Sequence, residues 1–202
     1  MQAYLFYLPQ QGNDLHMTLL KAFERNGILD FSPDNPKRKS LVFHTNGKII
    51  HARTNAKLDN PNIGMSSEKL DVENGSVIIG KVTLCRDRRV MISPEKREAF
   101  IREHNRLPKS SENHVTRRMT DEQVNEYIPN LFAKAGMSII EFKISESPLR
   151  FHALSSHKKK LKAMDISFTA TITDIEAFEH AWFNGIGQKK TYGFGMIRAG
   201  LK

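Results

Sequence analysis

Cysteine is nearly absent. Cys85 is the only one in 202 residues, which excludes an intrachain disulfide and a zinc site built on thiolates. Long apolar runs are missing too: no stretch approaches the ~20 residues a membrane helix needs, so no membrane partner is expected and the protein is expected in the cytoplasm. The start, MQAYLFYLPQQGND, lacks the basic leader and small-residue cleavage site of a signal peptide and reads as a first β-strand. There is no low-complexity tract and no clear internal repeat.

Acid is the scarcer charge. The chain has 31 lysines and arginines against 22 acids, a formal charge of +9. That balance points to a polyanionic partner, nucleic acid ahead of membrane surfaces and acidic proteins. The cations are grouped. Asn35 to Leu58 holds Lys37, Arg38, Lys39, Lys48, Arg53 and Lys57 with no acid between them. Lys143 to Lys162 holds Lys143, Arg150, Lys158, Lys159, Lys160 and Lys162 against Glu146 alone. Arg117 and Arg118 form a smaller pair that reads first as a solvated helix start.

Read for elements, the chain alternates strands and helices. Ala3 to Leu8 is β-rich and ends at Pro9. Asp14 to Asn26 carries the stripe Leu15, Leu19, Ala22 and Phe23 and stops at Gly27, which predicts a helix capped by Asn13 or Asp14. Asn46-Gly47, between two β-rich runs, is the strongest hairpin signal. Ser76 to Arg86 predicts a strand that ends a first half near Ile92. Ser93-Pro94 opens a helix. Thr120 with Gln123 is a capping box for the next helix, which Pro129 should kink or restart. Strands are expected at Ser138–Ser145, Leu149–Leu154 and Met164–Thr171. A helix opened by a Thr173/Glu176 box follows, with Ile175, Phe178, Ala181 and Trp182 on one face, and then a strand at Phe194–Ala199. The expectation is an α+β protein of two tandem ferredoxin-like domains, 1–92 and 93–202, each an antiparallel sheet with helices on one face.

Between the last helix and strand stands NGIGQKKTYGFGM, residues 184–196, with four glycines in two pairs. It is not a P-loop, because Thr191 and the lysines fall in the wrong places, nor a dinucleotide fingerprint, because it follows a helix instead of opening one. Taken alone it reads as a tight helix-to-strand turn or as backbone N–H groups offered to a phosphate. Its full pattern resembles the glycine-rich signature of the CRISPR repeat-processing endoribonucleases, the sixth Cas family of the RAMP superfamily. Ile186 lies between the first two glycines, Lys189 and Lys190 occupy the five-residue spacer, and Met196 follows the last glycine. TDIEAFEHAWFN is similar to the helix leading into that loop in the Type I-E branch. GKVTLCRDRR at 80–89, the basic stretch LRFHALSSHKKKLKAMDI, and LHMTLLKAF at 15–23 resemble further segments of the family.

The resemblance implies a metal-independent endoribonuclease, with no cofactor, that binds the stem-loop of CRISPR repeat RNA and cuts precursor transcripts into guide RNAs. In such a cut the ribose 2′-hydroxyl attacks the adjacent phosphorus, leaving a 2′,3′-cyclic phosphate and a 5′-hydroxyl. Two protons must move and the phosphorane charge must be steadied. His16 matches the family's active-site histidine, although Asn13 stands where some relatives carry a tyrosine. Tyr7, Lys37, Arg38, Ser145 and Ser147 are open candidates for a second participant, and His44, His51, His152 and His157 are weaker alternatives to His16. The resemblance implies RNA contacts from Lys158, Lys159, Lys160 and Lys162 along the stem. It implies others from Gly185, Gly187, Lys189, Lys190, Gly193 and Gly195 near the scissile phosphate. Other Cas subunits of a surveillance complex are expected partners. The competing expectation is a non-catalytic RAMP subunit that only binds RNA.

Overall fold

Hydrophobic alternation builds the first sheet. The computed structural model describes residues 1–11, 14–31, 39–56, 64–110, 112–147, 151–152 and 160–202. Strand β1 (Gln2–Pro9) turns Tyr4, Phe6 and Leu8 toward helix α1 (Leu15–Arg25), whose buried stripe is Leu15, Leu19 and Phe23. Asp14 caps α1 by accepting the Met17 N–H at 2.9 Å. Strands β2 (Leu41–Thr45) and β3 (Ile49–Thr54) form the expected hairpin, and Asn46 Oδ1 accepts the N–H groups of Lys48 and Ile49 in its turn. Strand β4 (Met65–Lys69) pairs with the free edge of β1, giving the antiparallel order β2-β3-β1-β4.

The chain continues through β5 (Val77–Cys85), β6 (Asp87–Met91), α2 (Pro94–His104), β7 (His114–Arg118) and α3 (Asp121–Lys134). After these come β8 (Met137–Glu146), β9 (Phe151–His152), β10 (Lys160–Leu161), β11 (Ala163–Ile172), α4 (Ile175–Asn184) and β12 (Arg198–Leu201). The second sheet has the antiparallel order β12-β5-β11-β8. In both sheets the opening strand lies between the third and the fourth, the arrangement of two tandem ferredoxin-like units. The ribbon β6–β7 with α2 is inserted between β5 and α3, and the short ladder β9–β10 between β8 and β11.

The strand at 77–85, expected to end the first unit, opens the second. Strand pairing therefore changes sheets between Lys69 and Val77, and a boundary at residue 92 would cut β5 from its partners. Helix α3 runs through Pro129 without restarting, because Pro129 and Asn125, whose carbonyl loses its donor, both face solvent. Helix α4 is capped by Asp174, not Thr173; its carboxylate accepts the N–H groups of Glu176 and Ala177 at 3.0 Å. The last strand begins at Arg198, four residues late, because Phe194, Met196 and Ile197 are buried in the preceding loop. Only Phe151–His152 of the expected strand Leu149–Leu154 lies within the described residues.

Two cores result. Helices α3 and α4 pack on the second sheet around Ile128, Phe132, Phe168, Phe178 and Trp182. The core under α1 includes Phe6, Phe23 and Phe43, and it takes in Cys85, Leu161, Ala163 and Phe194 from the second unit. The units thus share a core at the place where the glycine loop meets α1.

Candidate active site

His16 stands in the first turn of α1, beside the buried Leu15 that anchors the helix. Its ring stacks on Phe43 of β2, with centroids 6.2 Å apart and planes 19° from parallel. The imidazole is half-buried and its Nδ1 is buried. His16 and Phe43 line a cavity of about 300 Å³ together with Lys39, Ser40, Asn184, Lys190 and Thr191. Residues from three parts of the sequence thus meet: the start of α1, the approach to β2, and the glycine loop.

The glycines explain how the loop reaches α1. A side chain at Gly193 would meet Leu15 Cδ1 and Phe43 Cε2 at 3.3 Å, so Gly193 allows the loop to lie directly against the turn that carries His16. At Gly195, φ is +88° and a Cβ would fall 2.1 Å from the Ile186 carbonyl oxygen, a position closed to other residues. There the loop crosses itself: Ile186 N–H donates to the Gly195 carbonyl, and Gly195 N–H donates to Thr83 of β5, both at 2.9 Å.

This corrects the expectation that the glycine amides face phosphate. Gly185, Gly193 and Gly195 are buried, and their N–H groups donate to the carbonyls of Ala181, Lys190 and Thr83. Gly187 is half-buried against Leu84 and Tyr127. Lysine is what the loop offers. Lys189 adopts φ +62°, and its Nζ lies 5.8 Å from the Tyr192 ring centroid. Lys190 begins a short 3-10 turn (Lys190–Tyr192), is exposed, and reaches the His16 cavity.

Arg53 fixes the relation of the two units. Grouped from sequence with the basic cluster at 35–58, it is only 1 % exposed. Its Nε and Nη2 donate to Glu68 at 2.7 and 3.1 Å, and Nη1 donates to the carbonyls of Ile197 (2.7 Å) and Trp182 (3.3 Å). The guanidinium also lies 3.6 Å from the Trp182 ring centroid. One side chain from β3 therefore holds both ends of the segment that carries the glycine loop.

The other candidates lie elsewhere. Register puts His44 opposite His51 on β2 and β3, one residue out of phase with Phe43, and so on the sheet face away from His16. Burial, and then the positive charge of Arg198, bring the His44 pKa down to about 4, although Asp165 opposes them. The same two causes lower His51, whose ring meets Tyr7 edge-on at 5.3 Å. Tyr7 contacts Ser66 at 3.2 Å, and Ser145 donates to the Asp165 carbonyl at 3.4 Å; neither lines the His16 cavity. Ser147 N–H pairs with the Ala163 carbonyl. Lys37, Arg38, His157, Lys158 and Lys159 lie outside the described residues, as does Asn13.

Lys160 pairs with His152 in the β9–β10 ladder. Lys162 is exposed and lines a second trough of about 510 Å³ with Arg86 and Arg118. Asn184, Ser40 and Thr191 had no signal of their own in the sequence; only their neighbourhood to the loop or to the first basic cluster could have marked them. Among the described residues no group of three or more His, Cys, Asp or Glu side chains is placed to hold a metal ion, and no helix is long and apolar enough to cross a membrane.

With this geometry in view, the chain can be set beside known proteins. The family model described as CRISPR associated protein matches residues 78–198. No curated protein matches the chain in sequence. Among solved structures, Cas6e from Escherichia coli K-12, described as a CRISPR-associated protein, has 11% identity over 99% of both chains with a TM-score of 0.64. CRISPR endoribonuclease Cse3 bound to a 19-nucleotide RNA has 11% identity over 98% of both chains, TM-score 0.63. Thermus thermophilus Cse3, bound to an RNA representing a pre-cleavage complex, has 12% identity over 98% of this chain and 99% of its own, TM-score 0.62. At such identities the likeness is one of fold.

Proposed function

The chain belongs to the CRISPR-associated protein family, and from that premise we propose that it is a metal-independent endoribonuclease that processes CRISPR repeat RNA. One observation carries the reading: His16 and Lys190, 174 positions apart in the chain, line one cavity beside a loop with the family's glycine pattern. The fold shared with Cse3 and Cas6e supports it.

The chemistry follows from what each group can do. The His16 imidazole, held by its stacking on Phe43, takes the proton from the ribose 2′-hydroxyl or returns one to the 5′-oxygen that leaves. Lys190 and Lys39 supply positive charge where the phosphorane gathers negative charge. The bond from the 2′-oxygen to phosphorus forms as the bond to the 5′-oxygen breaks, giving a cyclic phosphate and a free 5′-hydroxyl. Asn184, Ser40 and Thr191 offer hydrogen bonds that can orient the ribose or base next to the cut. The stem is gripped by Lys162 and the basic segment at 158–160, where an A-form helix presents phosphates more readily than sequence. Binding to other Cas subunits as part of a surveillance complex belongs to the same reading.

A repeat RNA with a single 2′-deoxyribose at the cleavage position tests the reaction class. The account expects unchanged binding and no cleavage, with the all-ribose RNA cut to a 2′,3′-cyclic phosphate. Cutting of the deoxy substrate would exclude 2′-hydroxyl attack. Binding without cutting of either RNA would favour the non-catalytic RNA-binding subunit.

A further inference from the structure

The ribbon β6–β7 leaves the second sheet between β5 and α3, and none of its residues lines the His16 cavity. Its register sets Arg88 directly opposite Arg117, with Val90 opposite Val115 next on the same face. The other face carries Asp87, Arg89 and Met91 against Arg118, Thr116 and His114. One opposed pair there is opposite in charge. Asp87 lies 3.9 Å from Arg118 and accepts the Lys162 N–H, while Arg89 donates to the Ser110 carbonyl. The Arg88–Arg117 face has no carboxylate on either strand. Among the described residues neither guanidinium has a hydrogen bond or ion pair within the protein.

Directly opposed residues in an antiparallel pair stand about 4.5–5.5 Å apart at Cβ, and like charges there are destabilising. The ribbon therefore carries an unfavourable pair on one face although it places an acid opposite an arginine on the other. Two arginines at directly opposed positions, one exposed and one half-buried, fit an anionic acceptor from outside, and a phosphodiester offers the oxygens that guanidinium groups bind best.

We infer that the Arg88–Arg117 face of this ribbon is a further RNA contact, holding backbone phosphate outside the catalytic cavity. The inference rests on the reading that this chain binds RNA, and it assigns a role to an arm that neither the cavity nor the basic hairpin includes. Phosphate is favoured over an acidic protein segment by the +9 charge of the whole chain.

The test is equilibrium binding of a fluorescein-labelled transcript of the host's CRISPR repeat to wild type and to the Arg88→Gln/Arg117→Gln double variant, over a salt series. Binding should weaken about tenfold at ~0.1 M salt. The slope of log K against log salt should become shallower by about 1.4–1.8, for two phosphates at ~0.7–0.9 each. The thermal midpoint should hold or rise, because a repulsion has been removed. Unchanged affinity and slope, with wild type binding tightly, would overturn the inference and leave the proposed function standing. Weaker binding with a lowered midpoint would assign the arginines a structural role instead. Intact RNA affinity with lost capture of an acidic partner subunit would move the face to a protein contact and overturn it too. Failure of wild type to bind any repeat RNA would overturn the proposed function itself.

Discussion

His44 is 6 % exposed, and its burial together with nearby Arg198 disfavours the imidazolium, bringing the pKa to about 4. In the unfolded chain the same group titrates near ~6.5. Between these values the unfolded state binds the extra proton, so the stabilising contribution is complete above about pH 6.5 and falls away as pH drops toward 4. The shift corresponds to on the order of 3 kcal/mol. Urea midpoints of wild type and His44→Gln, measured from pH 7.5 to 4.5, should converge as pH falls; a constant difference would contradict this. His16, on helix α1, stacks on Phe43, which faces the opposite side of the same sheet, and one residue of strand register on β2 separates the cavity side from His44. The sequence offered both and could not rank them by burial. It offered Lys189 and Lys190 as the loop's cations but could not say that the amides of the flanking Gly185, Gly193 and Gly195 are engaged within the protein.

At the scale of elements, local chemistry was legible where one signal dominated: the Asn46-Gly47 hairpin and the Thr120 capping box; for the first helix the sequence left Asn13 and Asp14 open, and Asp14 is the cap. Sequence signals failed where pairing partners decide. Strand β4 is a polar, exposed edge with no alternation to detect, and β6 and β7 are short arginine-rich strands that exist by pairing with each other. The glycine loop combines both cases. Its spacing identified it, but its conformation follows from contacts with β5 and α1. Gly195→Ala should therefore cost roughly 3–5 kcal/mol, because a Cβ would sit 2.1 Å from a backbone oxygen. Gly75, at φ +92° with nothing within 4 Å, provides the control; Gly75→Ala should cost only ~1–2 kcal/mol. Equal losses of stability in denaturant would show that the loop relaxes around the added methyl group.

Across the whole molecule, two ferredoxin-like units both line the candidate cavity, and Arg53 ties β3 to both ends of the loop segment. The fold class could be read from the order of strands and helices, but the tie could not: from sequence Arg53 is one cation among six. Arg53→Lys keeps the charge and loses the fork that serves Glu68, Trp182 and Ile197 at once. Hydrogen exchange in that variant should quicken across residues 185–197 and stay unchanged in the centre of β11. Uniformly faster exchange would mean a general loss of stability and no specific hold on the loop.

The central claim, that His16 moves protons for a cut needing no metal, is tested most directly by single-turnover cleavage of the host's repeat stem-loop in EDTA by wild type and His16→Ala. The account predicts full wild-type cleavage in the chelator and a rate lower by ~10²–10⁴-fold in the variant, with RNA affinity retained. Wild-type activity lost to EDTA and restored by a divalent ion, or an unimpaired His16→Ala rate, would contradict it.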